Sequence, residues 1–143
     1  MKDKIKYKKL VRKYHKQLIK AAKNFAPWEY GYIYELLDVA LHYMKDYFEL
    51  GYNVGQIDES RLEIVKSLTD TINLFEKGTT IEESQEFKDL SQELFLARCK
   101  NLPILESSQE RFLELYQEQE NTRRDYLKKF FNKMAEDIEM WWD

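Results

Sequence analysis

Residues 27–51 read "PWEYGYIYELLDVALHYMKDYFELG", and this stretch decides the fold. Placed at about 100° per residue, its polar members (Gly31, Glu35, Asp38, His42, Lys45, Asp46, Glu49) collect in a strip only about 100° wide. Rings and aliphatic chains, from Trp28 and Tyr30 to Phe48 and Leu50, fill the rest of the circumference. A helix that is apolar over most of its surface is surrounded by other helices. Pro27 suits the first helical position and Gly51 the residue just past the end. The expectation is an all-α, single-domain bundle of about five helices over residues 1–143, with helix 27–50 at its centre.

The neighbouring segments supply the other helices. Residues 4–25 place Tyr7, Leu10, Val11, Tyr14, Leu18, Ala21, Ala22 and Phe25 in one stripe, with lysines and Arg12 opposite, so 1–25 reads as a basic amphipathic helix that stops before Pro27. Ser60 with Glu63, Thr80 with Glu83 and Ser107 with Glu110 read as capping boxes, each just before an apolar stripe. The first stripe is Leu62, Val65, Leu68, Ile72 and Phe75, stopped at Gly78. The second is Phe87, Leu90, Leu94 and Ala97, ending near Lys100–Pro103. The last runs through Phe112, Tyr116, Tyr126, Leu127, Phe130, Phe131, Met134 and Ile138 to Trp141, with Trp142 beside it. Trp141 therefore continues a core stripe, and the aromatic 27–50 helix is its expected wall. Within this stripe Glu120 and Arg123 occupy core-facing azimuths. Either the helix breaks near Asn121, or the pair faces a polar pocket or an interface, because a buried arginine must be paired.

Bulk composition agrees. Hydrophobic residues make up 43% and charged residues 34% of the 143, enough for both a core and a solvated surface, while four glycines and two prolines are few for the turns of a sheet protein. The single cysteine, Cys99, has no partner for an internal disulfide, fits a reducing compartment, and reads as a small core or boundary residue. No apolar run approaches the ~18 residues that span a bilayer, and the basic start lacks the apolar core of a secretory signal, so a cytoplasmic location is expected.

Charge is distributed unevenly. Residues 1–24 carry ten cations (Lys2, Lys4, Lys6, Lys8, Lys9, Arg12, Lys13, Lys16, Lys20, Lys23) against Asp3 alone, whereas the other 119 residues hold thirteen cations and twenty-five acids. Such asymmetry points to an anionic partner, or to packing of the basic helix on the acidic remainder. Nine of the ten cations are lysine, which disfavours base-edge readout and leaves nonspecific phosphate contact open. Tyrosine and alanine on the apolar face suit protein packing better than a membrane.

Other constellations carry less. Glu35, Asp38, His42 and Asp46 share a face, but His15 is the other histidine and no second cluster completes a metal site, so neither metal nor cofactor is expected. Glu82, Glu83 and Glu86 match the first carboxylate motif of the all-helical nucleotide pyrophosphatases related to MazG. The later Glu-x-x-Asp of that family is missing in the required order, since Glu35/Asp38 lies upstream and Glu86/Asp89 overlaps. Helix-start acids explain the three glutamates equally well. No nucleophile elbow or phosphate-binding glycine loop is present, so no catalytic residue is named.

Two stretches, "PWEYGYIYELLDVALHYMKDYF" (27–48) and "RRDYLKKFFNKMAEDIEMWWD" (123–143), resemble a recurrent kind of small bacteriophage protein with a proline–tryptophan–acid–tyrosine helix start and a terminal tryptophan–tryptophan–aspartate. The resemblance implies a phage or prophage origin and the host cytoplasm, and it supplies no activity. The functional expectation is a non-enzymatic accessory protein that binds a host or phage macromolecule, such as a host defence component. Contacts would come from Arg12, Lys13, Lys16, Lys20 and Lys23 of the basic helix. A magnesium-dependent pyrophosphatase and a helical binder of a small nucleotide signal near Arg123 are the alternatives. The partner's identity and the oligomeric state are not legible in the chain.

Overall fold

The computed structural model describes residues 2–24, 26, 29–51 and 58–141, and those residues form five α-helices. They are α1 (Lys2–Lys23), α2 (Tyr30–Glu49), α3 (Asp58–Thr79), α4 (Gln85–Cys99) and α5 (Glu106–Asp137). The all-α bundle of about five helices is what forms. Neighbour relations run in a line: α1 packs on α2, α2 on α3, α3 on α5, and α5 on α4. The helix 27–50 of the sequence reading thus lies inside the array with a neighbour on either side. The deepest burial nevertheless falls on α3, where Ile64, Ser67, Leu68, Thr71, Ile72, Phe75 and Gly78 are buried. On α2 only Leu41 and Phe48 are fully buried, and Tyr30 and Ile33 stay exposed. Two helical neighbours cover two sides, so the remaining apolar surface of α2 is half-buried and not enclosed.

The core joins Leu41 and Phe48 of α2 to Ile64, Leu68, Ile72 and Phe75 of α3 and to Phe130 and Trp141. Rings carry the packing from helix to helix. Tyr34 meets Phe75 edge-on at 5.8 Å, Phe75 tilts against Phe130 at 4.9 Å, and Tyr14 of α1 stacks on Tyr43 of α2 at 4.9 Å. Trp141 is 1% exposed, just past α5 in a short turn. Its indole N–H donates to Ser67 Oγ at 2.9 Å. Ser67 in turn donates to Asp137 at 2.6 Å, and Lys133 donates to the same carboxylate at 2.7 Å. Lys133 and Ser67 hold the Asp137 carboxyl below its usual range. The wall that anchors Trp141 is therefore α3, through a hydrogen bond, with Leu41 and Phe48 of α2 in the same core.

Gly78 does not stop α3. The helix continues to Thr79, and Gly78 is buried where α5 crosses: a Cβ there would stand 2.8 Å from Leu127 side-chain carbons and 3.0 Å from the Leu127 backbone nitrogen. Close approach is why glycine sits here. Gly51 does terminate α2 as expected, with φ +66°.

Helix starts differ from the capping-box reading. Ser60 lies inside α3, which has already begun at Asp58. Ser84 caps α4, accepting from the Phe87 amide at 3.2 Å, while Thr80 closes the end of α3, its amide bonded to the Glu76 carbonyl, and Glu83 belongs to the non-helical link before α4. Leu105 precedes α5, so Ser107 is already helical. Sequence spacing alone found a helix start within a few residues in each case, but several serines and threonines compete for each cap. The α2 start is Tyr30, with Glu29 extended before it; Pro27 and Trp28 lie outside the described residues, as do Phe25 and Trp142.

α5 does not break near Asn121; it runs unbroken from Glu106 to Asp137, then turns instead of reaching Trp142 as helix. Its outer flank exposes Tyr116, Phe131 and Ile138, and α3 exposes Leu62, which the stripes had placed inward. Among the described residues α4 packs on no helix but α5, through Phe87 stacked on Phe112 at 4.7 Å and Arg111 on Glu86. A helix with one neighbour leaves most of its surface in solvent, so Cys99 is exposed and is not a core residue. Among the described residues, no helix is long and apolar enough to cross a membrane.

Candidate functional site

The basic helix meets the rest of the chain along one side. Tyr14 and Ala21 are its buried residues, and they face α2. At that seam the Tyr14 hydroxyl donates to Asp46, with Lys13 Nζ 3.4 Å from the same carboxylate and 4.4 Å above the Tyr14 ring. Burial, reinforced by the Asp46 hydrogen bond, pushes the Tyr14 hydroxyl above its usual range. All five candidate cations, Arg12, Lys13, Lys16, Lys20 and Lys23, are exposed, and Lys13 alone of them is paired with a carboxylate.

Among the described residues, packing of this helix onto acidic residues accounts for one ion pair, Lys13 with Asp46. Among the described side chains, Lys4, Lys6, Lys8, Lys9, Arg12, Lys16, Lys20 and Lys23 have no ion pair and no hydrogen bond, so the outward face is a field of unpaired positive charge. Two isoleucines stand within it, Ile5 at 51% and Ile19 at 56% exposed. The sequence stripe had passed over both, although their azimuths already lay on the lysine side.

Glu120 and Arg123 are brought together. Arg123 Nε donates to Glu120 at 2.9 Å, a second guanidinium nitrogen donates to the other carboxylate oxygen, and the third donates to the Gly78 carbonyl at 3.2 Å. The side chains are mostly buried, and the guanidinium lowers the Glu120 carboxyl. This arginine thus ties the end of α3 to the middle of α5. It also lines a cleft of about 840 Å³ between those two helices, whose other walls include Lys77, Thr80, Ile81, Gln119 and Tyr126. The Gln119 amide is buried with neither its nitrogen nor its oxygen hydrogen-bonded, the one buried side chain so left among the described residues. Nothing in the local sequence marks Gln119, because its isolation arises where separate helices meet.

The remaining candidates separate. Glu82 and Glu83 lie in the non-helical link before α4, and Glu86, in its first turn, is held by Arg111, which lowers its carboxyl. The three glutamates therefore do not line up on one helix as the pyrophosphatase motif requires. His42 stands 3.3 Å from Asp38 while Asp46 turns to Tyr14, and among the described residues no group of three or more histidine, cysteine or acidic residues is placed to hold a metal ion. No family model, curated protein or solved structure matches this chain.

Proposed function

We propose that this protein acts by binding, not by catalysis, and that it docks an anionic macromolecule on the outward face of α1. The observation that carries the reading is the set Arg12, Lys16, Lys20 and Lys23: exposed, without ion pairs, on a chain whose other residues are strongly acidic. Unpaired cations cost the fold little and raise the on-rate of an oppositely charged partner, an effect that salt weakens. The likeness of residues 27–48 and 123–143 to small bacteriophage proteins favours a host or phage macromolecule, a host defence component among them.

Reversing Arg12, Lys16, Lys20 and Lys23 to glutamate tests this reading. Far-UV circular dichroism should be unchanged, and partners captured from host lysate and identified by mass spectrometry should be lost. Undiminished capture by the folded variant would sink the docking face.

A second reading is favoured by the unpartnered Gln119 amide in the α3–α5 cleft, which suits a small ligand that both donates and accepts hydrogen bonds. A nucleotide signal is the case in point, with Lys77 as its phosphate contact, since Arg123 is already engaged. Calorimetry with a nucleotide panel should give heat that Gln119→Leu removes; silence across the panel retires it.

A further inference from the structure

We infer that the occupant of the α1 face is an acidic amphipathic helix, lying along α1 as the second strand of a short coiled coil. This rests on the docking face proposed above and narrows it to one class of partner. The observation is a seven-residue recurrence on the outward side. Ile5, Arg12 and Ile19 follow one another at that interval, and Lys9, Lys16 and Lys23 run beside them at the same interval. All six are exposed, and α2 occupies the other side, through Tyr7, Tyr14 and Ala21, with Lys13 and His15 at its margins.

Residues seven apart on a helix lie almost above one another, about 10.5 Å apart along the axis. They drift by only ~20° per heptad, the angle a left-handed supercoil absorbs. The two isoleucines are thus seam positions four turns apart, with a cation between them and a lysine row along one edge. Scattered apolar surface residues are ordinary. Two on one heptad row, flanked by a row of lysines, supply one core row of a coiled-coil strand, whose second row (Lys8, His15, Ala22) is mostly polar; in such a strand core positions bury and flanking charges choose the partner.

The complementary strand carries leucine or isoleucine opposite Ile5 and Ile19, and carboxylates opposite Arg12 and the lysine row. A second α1 is a poor occupant, because its own lysine rows would face these. A phosphate backbone is matched by the cations alone and gains nothing from the isoleucines. With only two apolar seam residues and an arginine between them, the complex is reversible, as suits a docking contact.

The test uses three probes against the full chain: a synthetic peptide of roughly four heptads with leucine at the seam and glutamate at the flanks, a duplex DNA oligonucleotide, and phosphatidylserine vesicles. The peptide should bind most tightly. Ile5→Ser with Ile19→Ser should weaken the peptide by roughly tenfold or more, from two half-exposed side chains no longer buried, while leaving any DNA binding unchanged. Lys9, Lys16 and Lys23 changed to glutamate should abolish binding of every probe. If the serine variant binds the peptide as the parent does, or if DNA or vesicles bind and the peptide does not, the helical partner is wrong and the docking face survives. If none of the probes binds the parent chain, both fall. Both substitution sets lie on solvent-exposed positions, and circular dichroism checks that each variant is folded.

Discussion

Two groups of cations sit at opposite ends of this molecule's use of charge. Arg123 is satisfied on every side, by both oxygens of Glu120 and by the Gly78 carbonyl, so its charge joins α3 to α5. Among the described side chains of α1 only Lys13 pairs with a carboxylate, and Arg12, Lys16, Lys20 and Lys23 project unpaired into solvent. A charge with partners inside the chain contributes to the fold, and one without them remains available to something outside it. Similar residue types thus serve different ends, and the divide is set by what packs opposite.

That contrast is open to direct attack, beginning where the inward-directed region is strongest. Trp141→Ala should cost about 3–5 kcal/mol in urea denaturation, since it empties a fully buried site and strips Ser67 of its donor. A loss below about 1 kcal/mol would mean that the indole is not part of the core. Gly78→Ala comes next, at about 1–3 kcal/mol, because the new methyl meets Leu127 backbone as well as side chain. Gly31→Ala, with open space around it, should instead stabilise by about 0.5 kcal/mol. Equal effects at the two glycines would remove the close helix approach from the account.

Arg123→Met should lower stability by about 1–3 kcal/mol, read from the same denaturation, by leaving Glu120 and the Gly78 carbonyl short of a donor. Acidity probes the Trp141 anchor more finely. The Asp137 carboxyl lies below its unfolded value, so its stabilisation is complete above the ordinary aspartate range and is lost as pH falls through the folded value. The urea midpoints of the parent and Asp137→Asn should converge as pH drops, and a gap independent of pH would show the carboxylate to be irrelevant. Smallest of all, a glutamate at Arg12, Lys16, Lys20 or Lys23 should move stability by no more than about 0.5 kcal/mol apiece, since these side chains are exposed and without an ion pair. A larger drop would place them in the fold after all.

Much of this was readable from local pattern. The periodicity of residues 4–25 placed α1, and the stripe Leu68, Ile72 and Phe75 placed the buried side of α3, because one face of a helix against a core imposes its period on the sequence. Gly51 announced its left-handed turn. Helix starts were displaced because Ser84 and Thr80 stand close together and only packing chose between them. Gly78 looked like a stop because glycine has two uses, and only the crossing of α5 distinguishes close packing from termination. Among the site residues, the azimuths of Glu120 and Arg123 left open a break near Asn121 or a polar pocket or interface, and the unbroken α5 decided between them; the Gly78 carbonyl, the orphaned Gln119 amide and the pairing of Lys13 with Asp46 involve residues distant in the chain.

The sequence by itself determined the number of helices, the inward sides of most of them and the concentration of positive charge in residues 1–24, since each depends on neighbours a few positions away. Only the tertiary structure decided that α3 lies deepest, that among the described helices α4 packs on α5 alone, and which described cations of α1 stay unpaired. Those outcomes depend on which helix lies opposite which, and that depends on contacts between residues far apart in the chain, which no local period records.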